Sequence, residues 1–229
     1  MEPLARLVPQ VQAHLDALKE RLLTMGGLAE ERVRLISEAL VERDLGLASR
    51  VQSSDEPLNA LHMEVDQRCV RLLALHQPVA VDLRAVIAAV KINTDLERVG
   101  DLAVNVAEAV QRYLQHPPVE PLVAIPRMAE LAQQMLRDAL DAYVRRDLGL
   151  AEHVLHTDDA VDALKAQVSA DLIPQMQRNS AIIEPALDLI LISRHLERIA
   201  DHATNVAEDV IFMVSARDVR HHGSGDTPR

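Results

Sequence analysis

Two tandem three-helix bundles, six long helices in all, is the all-α fold class that this sequence predicts, on the strength of three observations. The run KINTDLERVGDLAVNVAEAV at 91–110 returns at 191–210 as LISRHLERIADHATNVAEDV, with eleven of the twenty positions identical. An internal copy of this quality marks a chain built from two versions of one unit. Apolar residues recur at steps of three and four along most of the chain, the period of a helix with one buried side. Aromatic residues make up only 1% against 48% hydrophobic residues, so Leu, Val, Ile, Ala and Met must interlock, which suits helices better than a sandwich or barrel.

The first helix is expected from Leu4 to about Asp44, on the stripe Leu4, Leu7, Val11, Leu15, Leu18, Leu22, Met25 and Leu28. Gly26 and Gly27 each cost a helix interior about 1 kcal/mol relative to Ala, so a soft spot or an end-to-end pair of helices is expected there. RDLGLA at 43–48 turns the chain into a second helix, with Asp44 as its N-cap. That helix runs to about Leu75 with Leu47, Val51, Ser54, Leu58, Leu61, Val65, Cys69 and Leu72 on its buried side. His76-Gln77-Pro78 ends it, and Pro78 fits the first turn of a third helix spanning about Val79 to Leu114. His116-Pro117-Pro118 closes the unit.

The second unit begins near Val119. Met128, Leu131, Ala132 and Leu136 stand 103 positions after Met25, Leu28, Ala29 and Val33, and RDLGLA recurs letter for letter at 146–151. The last helices are offset by 100, so the second unit has lost three residues, which places the change in a connection around Pro174 to Ser180. Pro185 falls near the start of the last helix. The predicted domains are therefore 1–116 and 119–220, followed by a disordered tail at 221–229.

The formal charge of −11 argues against a general nucleic-acid binder, which needs basic surface to neutralise phosphates. It suits a cation-binding surface or a basic partner. Cys69 is the only cysteine, so no intrachain disulfide forms, and with no secretory signal a reducing interior compartment is expected. No run of eighteen apolar residues appears, hence no membrane span.

Opposite the apolar stripe of the third helix, Glu97, Asp101, Asn105 and Glu108 step by four, four and three. Glu197, Asp201, Asn205 and Glu208 repeat the row in the last helix. Preceding helices add Asp55, Asn59, His62 and Asp66 in the first unit, and Asp158, Asp162 and then Lys165 in the second. Carboxylates one turn apart can hold one hard cation between them, with an asparagine oxygen filling a further position. Oxygen donors point to magnesium, calcium, manganese or iron, with zinc an alternative, and away from a thiolate metal. The competing reading is a solvated acidic face. Asn105 and Asn205 count against it, since mid-helix asparagine costs stability unless the side chain is used, and so do Gly100 and Ala200, small residues that let another element or an ion approach.

Arg98 and Arg198 read as i,i+3 partners of Asp101 and Asp201 before they read as contacts for an anion such as phosphate. His195 and His202 replace Asp95 and Leu102, offering the second site an imidazole that the first lacks. His62, His76, His153 and His156 read as polar surface, and Cys69 as a buried thiol. No nucleotide-binding, thiol-redox or metalloprotease motif is present, so no catalytic residue is assigned.

QPVAVDLR at 77–84, together with DLERVGD and HLERIAD in the two repeats, resembles the PhoU family of bacterial phosphate-transport regulators over nearly the whole chain. The resemblance implies homodimerisation and a cytoplasmic protein at the inner face of the membrane. It further implies restraint of phosphate uptake and of the phosphate-starvation response, through the ATPase subunit of the transporter and a sensor histidine kinase. It also implies metal on E(D)xxxD motifs, which fall here on Glu97 and Asp101, Glu197 and Asp201, and Asp158 and Asp162, with Asn59 departing from the motif after Asp55. The expectation is a non-enzymatic metal-binding adaptor. A helical carboxylate-metal enzyme or metal-storage bundle, and a metal-free acidic bundle, are the alternatives.

Overall fold

The computed structural model describes residues 9–53, 56–119 and 123–219. The first unit comprises α1 (Pro9–Glu42), α2 (Leu45–Gln52), α3 (Glu56–His76) and α4 (Val81–Tyr113). The second comprises α5 (Ala124–Arg145), α6 (Leu148–Arg178), a short 3-10 turn (Ser180–Ile182) and α7 (Ile183–Ser215). Leu4, Leu7, Ser54 and Asp55, and the tail expected at 221–229, lie outside the described residues.

The repeated RDLGLA works the same way in both units. Arg43 and Arg146 each take a left-handed backbone with φ of 55°, which stops the preceding helix. The next residue then caps the following one: Asp44 Oδ1 accepts from the N–H groups of Gly46 at 2.7 Å and Leu47 at 3.2 Å, and Asp147 Oδ1 from Leu150 at 3.1 Å. Such a cap contributes about 1 kcal/mol. Arg43 is then put to further use, donating to the carbonyls of Leu114 and His116 beyond α4 and lying 5.3 Å over the ring of Tyr113.

Three boundary expectations change. The predicted second helix is described as two, α2 and α3, on either side of residues 54–55. Pro78 sits in the connection and not in a first turn, because Gln77 (φ 44°) and Ala80 (φ 48°) both leave the helical region and delay α4 to Val81. Pro174 lies inside α6, where its missing N–H leaves the carbonyl of Ala170 without its usual intrahelical donor. The buried residues Ala48, Val51, Leu58, Val65 and Cys69 of the first unit correspond to Ala151, Val154, Val161, Val168 and Leu172 of the second, all 103 positions later. The three lost residues therefore fall after Leu172.

The units pack through two antiparallel helix pairs, α1 with α5 and α4 with α7, and a single apolar cluster runs through both. Charged pins set the register of α4 on α7. Lys91 Nζ lies 3.3 Å from Asp209 Oδ1, and Arg112 Nε donates to Asp188 Oδ1 at 2.9 Å. His202 Nδ1 is 2.8 Å and Asn205 Nδ2 3.1 Å from Asp95 Oδ1. Asp209 is 1% exposed and Asp188 8%, so a wrong register strands a buried charge, a penalty of about 3–5 kcal/mol.

The glycines of α1, a single uninterrupted helix, part ways. Gly26 is buried under α5, where a Cβ would lie 2.1 Å from Leu140 Cδ1, whereas a Cβ on exposed Gly27 meets nothing within 4 Å. Gly27→Ala is expected to raise stability by about 1 kcal/mol, its helix-propensity gain. Gly26→Ala meets an overpacking cost of about 1–3 kcal/mol that cancels or outweighs the same gain. Urea unfolding of the two variants checks this; equal gains would show that Leu140 moves aside freely.

Candidate metal and anion surface

Each acidic row lies on the outer face of its bundle, and the two rows differ. In the second unit α6 presents Asp158 and Asp162 toward Glu197 and Asp201 of α7. Burial first, then Asp201, Asp162, Glu197 and Asp159, push the Asp158 carboxyl up to about 6. Burial, Glu197 and Asp162 raise Asp201 as well, partly offset by His202 and Lys165. One ammonium serves the group. Lys165 Nζ lies 2.5 Å from Glu197 Oε1 and 3.5 Å from Asp162 Oδ1. Among the described residues no three His, Cys, Asp or Glu side chains already converge on a point where an ion would sit. The donor set nevertheless fits a hard cation, because four crowded oxygen donors with one mobile ammonium retain negative charge that a metal would neutralise.

In the first unit the row is quieter. Arg98 lies 3.5 Å from Glu97 and 3.7 Å from Asp101, the ion pair expected from spacing. Asn105 and Glu108 face solvent, and Asn59 is half-buried with a partner of its own. Asp55 lies outside the described residues. His62 and Asp66 are drawn into a network that sequence reading missed, centred on buried Asn93. Its Nδ2 donates to the His62 carbonyl at 3.0 Å and to Asp66 Oδ1 at 2.9 Å, while the His62 ring meets the Asn93 carbonyl at 3.4 Å. The one signal for it was a polar residue beside Ile92 on the inner side of a helix.

The matching pair in the second unit does not form: among the described residues Arg198 has no ion-pair partner. The reason lies on the neighbouring helix. Lys165 supplies the cation for Glu197, whereas its counterpart His62 is engaged with Asp66 and Asn93 and leaves the first row to Arg98. Asn205 turns from the acidic row toward Asp95 across the seam, and His202 does the same. Glu208 is half-buried and partnered. His195 is half-buried, its Nδ1 without a hydrogen-bond partner; burial and then Arg198, Arg194 and Arg112 hold its pKa below the usual imidazole value. Cys69 is buried, and burial with nearby Asp66 pushes its thiol up to about 12, the inert state expected of it.

The raised pKa of Asp158 has a thermodynamic sign. Between pH about 4 and about 6 the folded protein retains a proton that the unfolded chain has released, so stability declines as pH rises through that window. Asp158→Asn removes the repelled charge at nearly constant shape. In chelator-treated protein it is expected to stabilise by about 1 kcal/mol above pH 7, after allowance for solvent screening, and to change little at pH 4. Thermal melts at the two pH values check this; equal effects at both would remove charge repulsion as the cause.

A family model described as the PhoU domain matches the chain twice, at residues 22–110 and 125–210. A relative from Pseudomonas putida, called phosphate-specific transport system accessory protein PhoU homolog, is 39% identical over 93% of this chain and 84% of its own. The crystal structure of PhoU from Pseudomonas aeruginosa superposes with a TM-score of 0.86 at 37% identity, covering 90% of this chain and 99% of that one. The phosphate transport system regulatory protein PhoU from Streptococcus pneumoniae gives 0.83 at 27% identity, covering 91% and 99%.

Proposed function

The chain belongs to the PhoU family, and from that premise we propose that it is a regulatory adaptor of phosphate-specific transport, without catalytic activity of its own. The observation that carries the reading is the double match of one domain to two bundles, in a chain spanning most of the length of relatives named accessory proteins of that transport system. In this reading it works in the cytoplasm as a homodimer. It restrains high-affinity phosphate uptake and phosphate-starvation signalling by bridging the transporter ATPase and a sensor histidine kinase. No helix among the described residues is long and apolar enough to cross a membrane, so contact with the transporter falls to surface faces.

Two features give such an adaptor its contacts. Leu83 and Ile87 on α4 and their repeats Ile183 and Leu187 on α7 are exposed, a pair of apolar stripes at the same register in both units. Exposed apolar residues grouped in this way suit partner docking. The acidic rows would hold metal: Asp158, Asp162, Glu197 and Asp201 in the second unit, with Glu97 and Asp101 in the first. A cation bound there supplies charge neutralisation and a bridge between two helices. These carboxylates line an outer face and not the middle of a bundle, which favours the adaptor over an enzyme or storage bundle.

Elemental analysis of untagged protein beside Glu197→Ala/Asp201→Ala is expected to find near-stoichiometric metal in the parent and at least a tenfold drop in the variant, with the helical signal retained. Metal-free protein after incubation with iron, manganese and magnesium would leave the rows as plain acidic surface. Leu187→Asp is expected to weaken binding to the purified transporter ATPase about tenfold, roughly 1.4 kcal/mol. Unchanged binding would exclude that stripe as the docking face.

A further inference from the structure

Beside the acidic row of the second unit lies a groove of about 390 Å³ between α6 and α7, bordered by Lys165, Ser169, Arg194, Glu197 and Arg198. Arg194 and Arg198 stand one helical turn apart, both exposed. Neither has an ion-pair or hydrogen-bond partner among the described residues. Two unpaired guanidinium groups on one face are unexpected in a chain with 35 acidic and 24 basic residues, where carboxylates are in surplus. Lys165 adds an ammonium, shared between Glu197 and Asp162. Two guanidinium charges on the border of the groove thus stay uncompensated.

The first unit serves as a control within the same molecule. At the corresponding positions it has His62, Asp66, Thr94, Glu97 and Arg98. Arg98 is occupied by Glu97 and Asp101, and a carboxylate, Asp66, replaces the Ser169 hydroxyl. The same positions therefore carry two free guanidiniums in one copy and none in the other.

We propose that this groove binds inorganic phosphate, held by Arg194, Arg198 and Lys165. Guanidinium groups match the oxygens of a tetrahedral oxyanion with paired N–H donors, and an ammonium adds a point charge. Glu197 is what selects phosphate from other oxyanions. Phosphate retains a proton at neutral pH and can donate it to a carboxylate oxygen; sulfate carries none and meets repulsion instead, so a carboxylate on the wall works against it. The proposal goes beyond the adaptor reading by giving the adaptor a direct means of reading the ion whose transport it would regulate. That reading rests on family membership and survives if the groove proves empty of phosphate.

The test is calorimetric titration of orthophosphate into chelator-treated full-length protein at constant ionic strength. Saturable binding with a Kd of about 1 mM is expected, and sulfate should bind at least fivefold more weakly. Arg194→Ala/Arg198→Ala should weaken phosphate binding at least tenfold, whereas Arg98→Ala in the first unit should leave it unchanged. Glu197→Gln should erase the preference over sulfate. Both arginines are exposed, so the double variant is expected to keep the parent's melting temperature, and Arg198→Glu gives a second reading of the same site. No saturation by 20 mM phosphate, undiminished binding in the double variant and in Arg198→Glu, or equal binding of the two anions would each overturn the assignment.

Discussion

The antiparallel contact of α4 with α7 is the constraint on which the rest of this structure depends. Both helices come from the same repeated segment, so their apolar stripes are nearly alike and, taken alone, tolerate more than one register. The pins remove that freedom. Lys91 and Arg112 sit on α4 where α7 has Leu191 and Phe212, while Asp209 and Asp188 sit on α7 where α4 has Ala109 and Ala88. Bases on one helix and acids on the other leave one alignment in which no buried charge is stranded. Asp95, His202 and Asn205 fill the middle of the seam. Divergence of the two copies is thus what turned a repeat into a single molecule.

Once the seam is set, the outer faces follow. Residues drawn into it, Asn205 and His202 among them, are lost to the acidic row of the second unit. Those facing away, Asp158, Asp162, Glu197 and Asp201, are crowded together by α6, and burial with the neighbouring carboxylates raises the pKa of Asp158 and of Asp201. In the first unit Glu97 and Asp101 share Arg98, and Asn93 takes up Asp66. Two bundles of one fold therefore present different electrostatic surfaces: an acidic cluster beside free arginines in one, a largely neutralised row in the other. Such asymmetry lets each half be recognised separately.

Much of this was legible in the chain of residues. Helical periodicity, the 100-residue repeat and the RDLGLA turns specify the helices, their order and their caps, since these depend on neighbours a few positions away along the chain. The buried thiol of Cys69 and the ion pair of Arg98 follow from the same local spacing. Local rules also placed Pro78 and Pro174, and there they erred: the left-handed residues Gln77 and Ala80 moved the start of α4, and α6 ran on past its proline.

What the sequence determined by itself, then, is most of what contacts within a turn or two govern: two bundles, their buried stripes and the placing of the acidic rows. Only the tertiary structure decided which members of a row stay in solvent and which are spent on a neighbour. Arg98 and Arg198 occupy equivalent positions in the two repeated segments, yet one is paired and the other free. The difference lies in residues far along the chain, His62 on α3 and Lys165 on α6, and a through-space charge partner leaves no trace in the periodicity of the helix it faces.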